Sequence, residues 1–305
     1  MIAEGHDVRI LSRATSNLAI LEGLPVEKVI GDVTDPESVR RAVQGQDWVV
    51  HAAASLEGDH QYQMRVNVEG TRHVAQACRI EGVRRMVHIS SVAAVGIPTD
   101  LRQPANEESP FNLEDSGLTY HLSKRRAEEE IMAEVRNGLN AIIVNPASVK
   151  GPHGARYRGA EIVQTVRRAF LVPYFTGGIC VVHVQDVVAG ILSAFKEGEV
   201  GHRYILGGEN LTFLALGKTV AGTLGLKRRF VPLSPVLTGF SAMILEPWGR
   251  LRNRQPWMTY AVHYCANRNQ FYDSSKARKA LGYAPRDFKA ILDECVDFLN
   301  GVHAR

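Results

Sequence analysis

Four cysteines in 305 residues, Cys78, Cys180, Cys265 and Cys295, stand far apart with no CxxC spacing. Neither a metal site nor a disulfide framework follows from them, and free thiols in a reducing compartment are the expectation. Excess charge is scarce too: the formal net charge is +4 and no basic run is long, so nucleic-acid binding is not implied. A phosphate-bearing cofactor or an acidic substrate is compatible with that balance. No apolar run reaches the length of a membrane span and no signal-peptide pattern opens the sequence as given, so a cytoplasmic protein without an integral membrane segment is expected. The most lipid-like stretch, Pro232 to Trp248, is interrupted by Pro235, Gly239 and Glu246. It reads better as a substrate-covering helix than as a membrane contact. Repeats and low-complexity segments are absent.

What is present begins with alternation. Asp7–Leu11 and Val26–Ile30 read as strands, and Asp35-Pro36 opens a helix with an N-cap acid and a first-turn proline. Trp48–Val50 is an apolar strand, Gln61–Arg79 one long helix, and Met86–Ile89 a strand running into Ser90-Ser91. A polar loop from Gly96 to Ser116 precedes a helix around Tyr120, then the strand Ala141–Val144. Later come a helix near Ile162–Ala169, the strand Cys180–His183, the helix Asp186–Phe195, the strand Tyr204–Leu206 and a final amphipathic helix, Phe288–Leu299. Strands alternating with helices predict an α/β fold, a doubly wound parallel sheet of the Rossmann kind covered on both faces. The expected division is a Rossmann-like domain over 1–148, rejoined by 180–206, with a smaller substrate-binding lobe from 149–179 and 207–305.

The chemistry gathers at Thr119-Tyr120-His121-Leu122-Ser123-Lys124. On a helix Tyr120 and Lys124 are an i,i+4 pair, on a face continued by Ala127, Ile131 and Val135, while Arg125, Arg126, Glu128, Glu129 and Glu130 point elsewhere. An ammonium near a phenol favours the phenolate, and a phenol so tuned can exchange a proton with a carbonyl oxygen. An isolated YxxxK carries little weight; its context carries more.

In an open parallel sheet, ligands bind beyond the carboxyl ends of the strands. Arg13, just past the first strand, suits the 2′-phosphate of NADP, and a surface arginine explains it equally well. Asp32, in Gly31-Asp32-Val33, can bond an adenine amino group or cap the turn into the next helix. Ala52, Ala53 and Ala54 would let a dinucleotide approach the backbone, though helix packing asks for the same small residues. Ser91 can donate to a substrate oxygen or merely form a turn.

Ser90-Ser91-Val92-Ala93-Ala94-Val95-Gly96 followed by Tyr120-x-x-x-Lys124 resembles the active-site pattern of the extended short-chain dehydrogenase/reductases. His51-Ala52-Ala53-Ala54, Asn67-Val68-Glu69-Gly70-Thr71, Asn145-Pro146, Gly151-Pro152, His183-Val184-Gln185-Asp186-Val187 and Tyr204–Thr212 extend the likeness, and Tyr272–Ala277 carries it almost to the C-terminus. Within that superfamily these motifs resemble the dihydroflavonol-reductase-like and sugar-epimerase-like proteins. The resemblance implies NADP or NAD as cofactor, a small-molecule substrate and a homodimer. It implies Tyr120 as acid/base, Lys124 as the group lowering its pKa and holding the nicotinamide ribose, and Ser91 as orienter of the substrate oxygen. It places Val33 with Asp32, the three alanines, Asn67 and a loop at Asn145-Pro146 against the cofactor.

The family's first strand and GxxGxxG turn have no counterpart in these residues. That turn lets the backbone approach a pyrophosphate seated on a helix N-terminus. Gly177-Gly178 and Gly207-Gly208 do not open a strand-turn-helix and are no substitute. The sequence as given begins at what reads as the last turn of the first helix, so an internal start in a longer product is the expectation; a naturally shortened, cofactor-free scaffold is the alternative. The first strand would be central in the order 3-2-1-4-5-6. Its five or six buried side chains, at ~1.5–3 kcal/mol each, would rival a domain's whole net stability of ~5–15 kcal/mol.

Two enzyme readings remain, with a non-catalytic scaffold as a third. Val92 and Ala93 stand where a sugar dehydratase carries an acid pair, which disfavours dehydration and leaves a carbonyl reductase or a nucleotide-sugar epimerase. Arg156 and Arg158 can bind a sugar-nucleotide diphosphate or sit solvated at the surface. Lys150 replaces the aromatic residue that many relatives carry before Gly-Pro.

Overall fold

Gly5, in the left-handed region at φ 83°, closes a 3-10 turn over Ile2–Glu4 and sends the chain into the sheet. The computed structural model describes residues 1–100, 103–151, 160–252 and 256–303. Strand β1 (Val8–Ser12) and strand β2 (Val26–Ile30) are followed by helix α1 (Pro36–Val43). Asp35 caps α1 by accepting from the Glu37 N–H, with Pro36 at the first helical position. Then come β3 (Trp48–His51), α2 (His60–Met64), α3 (Gly70–Ile80), β4 (Arg85–Ile89), α4 (Thr119–Arg136) and β5 (Ala141–Pro146).

The Gln61–Arg79 helix is not continuous: a π-turn at Arg65–Glu69 divides α2 from α3. Such turns insert one residue and re-aim side chains; here the residue at its centre is Asn67. Asn145-Pro146, expected in a loop, instead ends β5, whose six residues are all buried.

The chain divides into two compact units. The first comprises Met1–Ala94, Thr119–Val144 and Gly198–Arg203; the second comprises Val95–Leu118, Asn145–Glu197 and the chain from Tyr204 onward.

In the first unit β1 pairs in parallel with β2, and β3, β4 and β5 pair in parallel in that order. The backbone of 198–203 runs beside β5, with Gly201 N–H donating to the Ala141 carbonyl (2.8 Å) and Ile143 N–H to the His202 carbonyl (3.0 Å). Val39, Val43, Val74, Ala75 and Cys78 from α1 and α3 bury one face of this sheet, with Ile131 of α4 joining the same cluster.

β1 and β3 belong to separate sheets. Between them lies a cavity of about 450 Å³, walled by Val8–Leu11 on one side and Trp48–Ala53 on the other. Every residue of β1 is only half-buried, and Val50 on β3 is 37% exposed. This slot is where a strand lying between β1 and β3 would fall, and the sheet has not repacked to close it.

The second unit continues with β6 (Ser148–Lys150), α5 (Ala160–Arg168), β7 (Leu171–Tyr174), β8 (Gly178–His183), α6 (Val184–Glu197), β9 (Arg203–Leu206), β10 (Glu209–Thr212) and α7 (Phe213–Thr223). It ends with β11 (Arg229–Pro232), α8 (Pro235–Leu251), α9 (Tyr260–Ala266), β12 (Asn269–Gln270), α10 (Ser275–Leu281) and α11 (Phe288–His303). β8 is its central strand, paired with β6, β10 and β12. The Gly207-Gly208 pair serves this sheet: a Cβ on Gly208 would collide with the Val181 carbonyl. Val163, Val166, Val220, Ile291 and Leu292 from α5, α7 and α11 make its main core.

Candidate active site

Lys124 is the buried centre of the site. It sits on α4 one turn after Tyr120, is only 3% exposed, and its Nζ donates to the Ile89 carbonyl at the end of β4 (2.9 Å). Ser90 and Ser91 follow directly, with Ser90 N–H donating to the Val144 carbonyl (2.8 Å). Ser91 opens the 3-10 turn Val92–Ala94, and Ala93 N–H donates to its hydroxyl (3.2 Å). Ser91 and Tyr120 are both half-buried. Serine, tyrosine and lysine thus all belong to the first unit, at the carboxyl end of β4 and the first turns of α4.

Burial lowers the Lys124 pKa to about 8, and Glu128 one turn further partly offsets that. Glu128 does not point away from the sheet as the helical pattern suggests. It is 2% exposed and paired with Arg203 (3.1 Å), because the 198–203 backbone brings a guanidinium to that face. Glu134, two turns on, is likewise buried and paired with Arg79 (2.6 Å). Beneath the ammonium lie two histidines in register on β3 and β4. The His51 and His88 rings are 5.2 Å apart, and His51 Nε2 meets the Thr71 hydroxyl at 2.9 Å. Desolvation first, then the Lys124 charge, lowers the His51 pKa to about 3 and also lowers that of His88, so both stay neutral.

A lysine titrating near 8 in the folded state and 10.5 when unfolded opposes folding. The penalty is fully present below pH 8 and fades as pH rises towards 10.5. Lys124→Met is therefore expected to stabilise the protein at pH 7 by about 2 kcal/mol, after allowing about 1 kcal/mol for the bond lost at Ile89. The gain should shrink at pH 10. Urea midpoints at both pH values check this, and a less stable variant at pH 7 would refute it.

Asn67 sets the neighbouring loop. Its Oδ1 accepts from the Ser55 N–H (2.6 Å), while its Nδ2 donates to the Ser55 carbonyl and to the Ser123 hydroxyl (both 2.9 Å). One buried amide therefore ties the Ala52–Ser55 loop to α4, and the π-turn aims it there. Neither Ser55 nor Ser123 was singled out by the sequence, although Ser123 stands beside Lys124 in the motif.

Arg13, Asp32, Val33, Ala53 and Ala54 converge on a second pocket of about 380 Å³. Tyr62 also lines it, and Arg13 Nη1 donates to the Tyr62 hydroxyl (3.3 Å). No motif pointed to Tyr62. Asp32 Oδ1 accepts from both the N–H and the hydroxyl of Thr34 (2.9 Å each), so its turn-capping role is realised. Ala52 lines the slot between β1 and β3 instead. Asn145 is fully buried within β5, with Pro146 next to it. Arg156 and Arg158 lie outside the described residues.

The family model described as "NAD dependent epimerase/dehydratase family" matches residues 1–207. The chain belongs to that family. Among other members, sterol demethylase protein B of Methylococcus capsulatus is 34% identical, the alignment covering 97% of this chain and 92% of that protein. A Synechocystis protein provisionally named dihydroflavonol 4-reductase is 32% identical over 97% of this chain and 88% of its own length. The crystal structure of gox2253 superposes with a TM-score of 0.83 at 32% identity, covering 99% of this chain and 92% of that one. This epimerase/dehydratase family member is an NAD(P)-dependent oxidoreductase or epimerase on a Rossmann-like α/β fold.

Proposed function

We propose that the chain reduces a carbonyl to a secondary alcohol, or runs the reverse oxidation, with Tyr120 as the acid/base. The observation that carries this reading is the buried Lys124 ammonium pinned at the Ile89 carbonyl, one helical turn from Tyr120 and beside the Ser90-Ser91 strand end. The reaction balances as ketone plus NAD(P)H plus a proton giving alcohol plus NAD(P)⁺. The nicotinamide, when bound, supplies or takes up the hydride. Tyr120 Oη gives its proton to the substrate oxygen as that oxygen gains negative charge, and Ser91 Oγ donates a hydrogen bond to the same oxygen. Lys124 favours the ionised phenol and offers its remaining N–H groups to a ribose hydroxyl.

The residues fit a dinucleotide at its two ends. The pocket walled by Arg13, Asp32, Val33, Ala53 and Ala54 suits the adenosine half, with Arg13 available to a 2′-phosphate, which favours NADP. Lys124 and Tyr120 suit the nicotinamide half, while Asn67 acts by holding the Ala52–Ser55 loop in place. Between the ends, no described strand-turn-helix supplies a glycine-rich cradle for pyrophosphate. The names of the sterol demethylase and dihydroflavonol reductase relatives support a ketone carried on a ring system. Val92 and Ala93 after Ser91 put no acid where a dehydratase would need one.

Net consumption of NADPH with ring ketones, matched mole for mole by alcohol, is the expected result. Isomerised sugar nucleotide with the dinucleotide retained and unconsumed would replace this reading with the epimerase one.

A further inference from the structure

Helix α8 presents its apolar residues the wrong way round for a water-soluble surface. Val236, Leu237, Phe240, Met243, Ile244 and Trp248 are each between 51% and 80% exposed. Their i, i+4, i+7 spacing makes one stripe, about 18 Å long at 1.5 Å per residue. The face turned inward is built mainly of small or polar residues, with Leu245 half-buried among them. Thr238 and Ala242 are each 3% exposed, and the Thr238 hydroxyl meets His263 Nδ1 on α9 at 3.0 Å. At Gly239 an added Cβ would stand 3.2 Å from the His263 ring, a tight approach that would require the ring to give by a few tenths of an ångström. An amphipathic helix in water buries its large residues and exposes its small ones. The reversal calls for an apolar medium on the outer side.

We infer that α8 is a monotopic anchor that lays its exposed stripe into the surface of an anionic lipid bilayer. The helix cannot span: no described helix is long and apolar enough to cross a membrane. Charge decides what it lies on. Between Pro235 and Tyr260 the sequence holds three arginines, Arg250, Arg252 and Arg254, and one acid, Glu246. Glu246 is turned to the start of α9, accepting from the Tyr260 N–H (2.8 Å). The Arg252 guanidinium stands over the Trp248 ring at 4.0 Å, at the end of the stripe. An indole at the headgroup level with a cation beside it is the arrangement of an interfacial helix, and Trp257 and Tyr260, also exposed, add aromatic anchors. A second copy of the chain offers Arg252 no free acid on the same segment, whereas anionic headgroups neutralise it. The inference does not depend on the reductase reading, since it uses none of the residues to which that reading assigns a role.

The test is flotation of the full chain, taken as the monodisperse fraction, with vesicles of phosphatidylcholine alone or mixed with phosphatidylglycerol. The wild type should float with the mixed vesicles, less with the neutral ones, and show a blue-shifted tryptophan emission on binding. The triple variant Val236→Ser, Phe240→Ser, Met243→Ser alters exposed positions only and should keep the wild-type melting curve. It should lose partitioning by roughly tenfold or more. Arg252→Glu should weaken binding to the mixed vesicles alone. Wild-type protein that stays unbound, or a triple variant that floats equally well, overturns the inference. So does a concentration-dependent dimer in sedimentation velocity that the triple variant abolishes while neither protein binds vesicles.

Discussion

Tyr120→Phe should lower kcat by about 10²–10⁴-fold and leave KM for the ketone within a few-fold of wild type. The substitution keeps the ring and its edge-on packing against His121, at 6.1 Å between centroids, and removes only the hydroxyl. A group that acts in the transition state and not in ground-state binding loses rate without losing affinity. Nucleotide titration of the variant separates the two, because an intact dinucleotide affinity shows that the pocket lined by Arg13 and Asp32 is undisturbed. Unchanged turnover in the variant would remove Tyr120 from the chemistry and favour a scaffold whose YxxxK is only a helix face.

A strand supplied ahead of Met1, apolar and followed by a GxxGxxG turn, should tighten NADPH binding by roughly a hundredfold or more. That magnitude corresponds to regaining two charge-assisted hydrogen bonds to pyrophosphate at ~1.5–3 kcal/mol each. The slot of about 450 Å³ between β1 and β3 is where such a strand would pair on both sides. Hydrogen exchange gives the independent readout: amides of Val8–Leu11 and Trp48–Val50 should become protected in the extended protein. A version carrying proline at the centre of the added strand should show neither effect. Tight NADPH binding by residues 1–305 alone, or unchanged exchange in β1 and β3, would refute the prediction.

The order of strands and helices was legible because period-2 and period-3.6 patterns and caps are local signals. β2 falls on the expected residues, and the Asp35-Pro36 start of α1 needed nothing beyond a capping rule. The π-turn at Arg65–Glu69 was not legible, since helical periodicity passes through it and its cause is remote: Asn67 reaching Ser55 and Ser123. Glu128 was misplaced for the same reason, its inward turn being set by Arg203, 75 positions away in sequence. The motif is what proposes Ser91, Tyr120 and Lys124 for the site. The pinning of Lys124 by the Ile89 carbonyl, and the part Tyr62 plays beside Arg13, depend on which strand ends meet. For α8 the apolar stretch Pro232–Trp248 read as a substrate-covering helix, and its residues alone do not say which side faces outward. Periodicity fixes the stripe; only packing partners fix its direction.

The break between β1 and β3 also bears on handling. Two sheet borders that look at each other across an empty lane are a docking rail for any extended polypeptide, including one lent by a neighbouring molecule. An extended segment that pairs in this lane is expected to satisfy the open N–H and C=O groups of both borders at once.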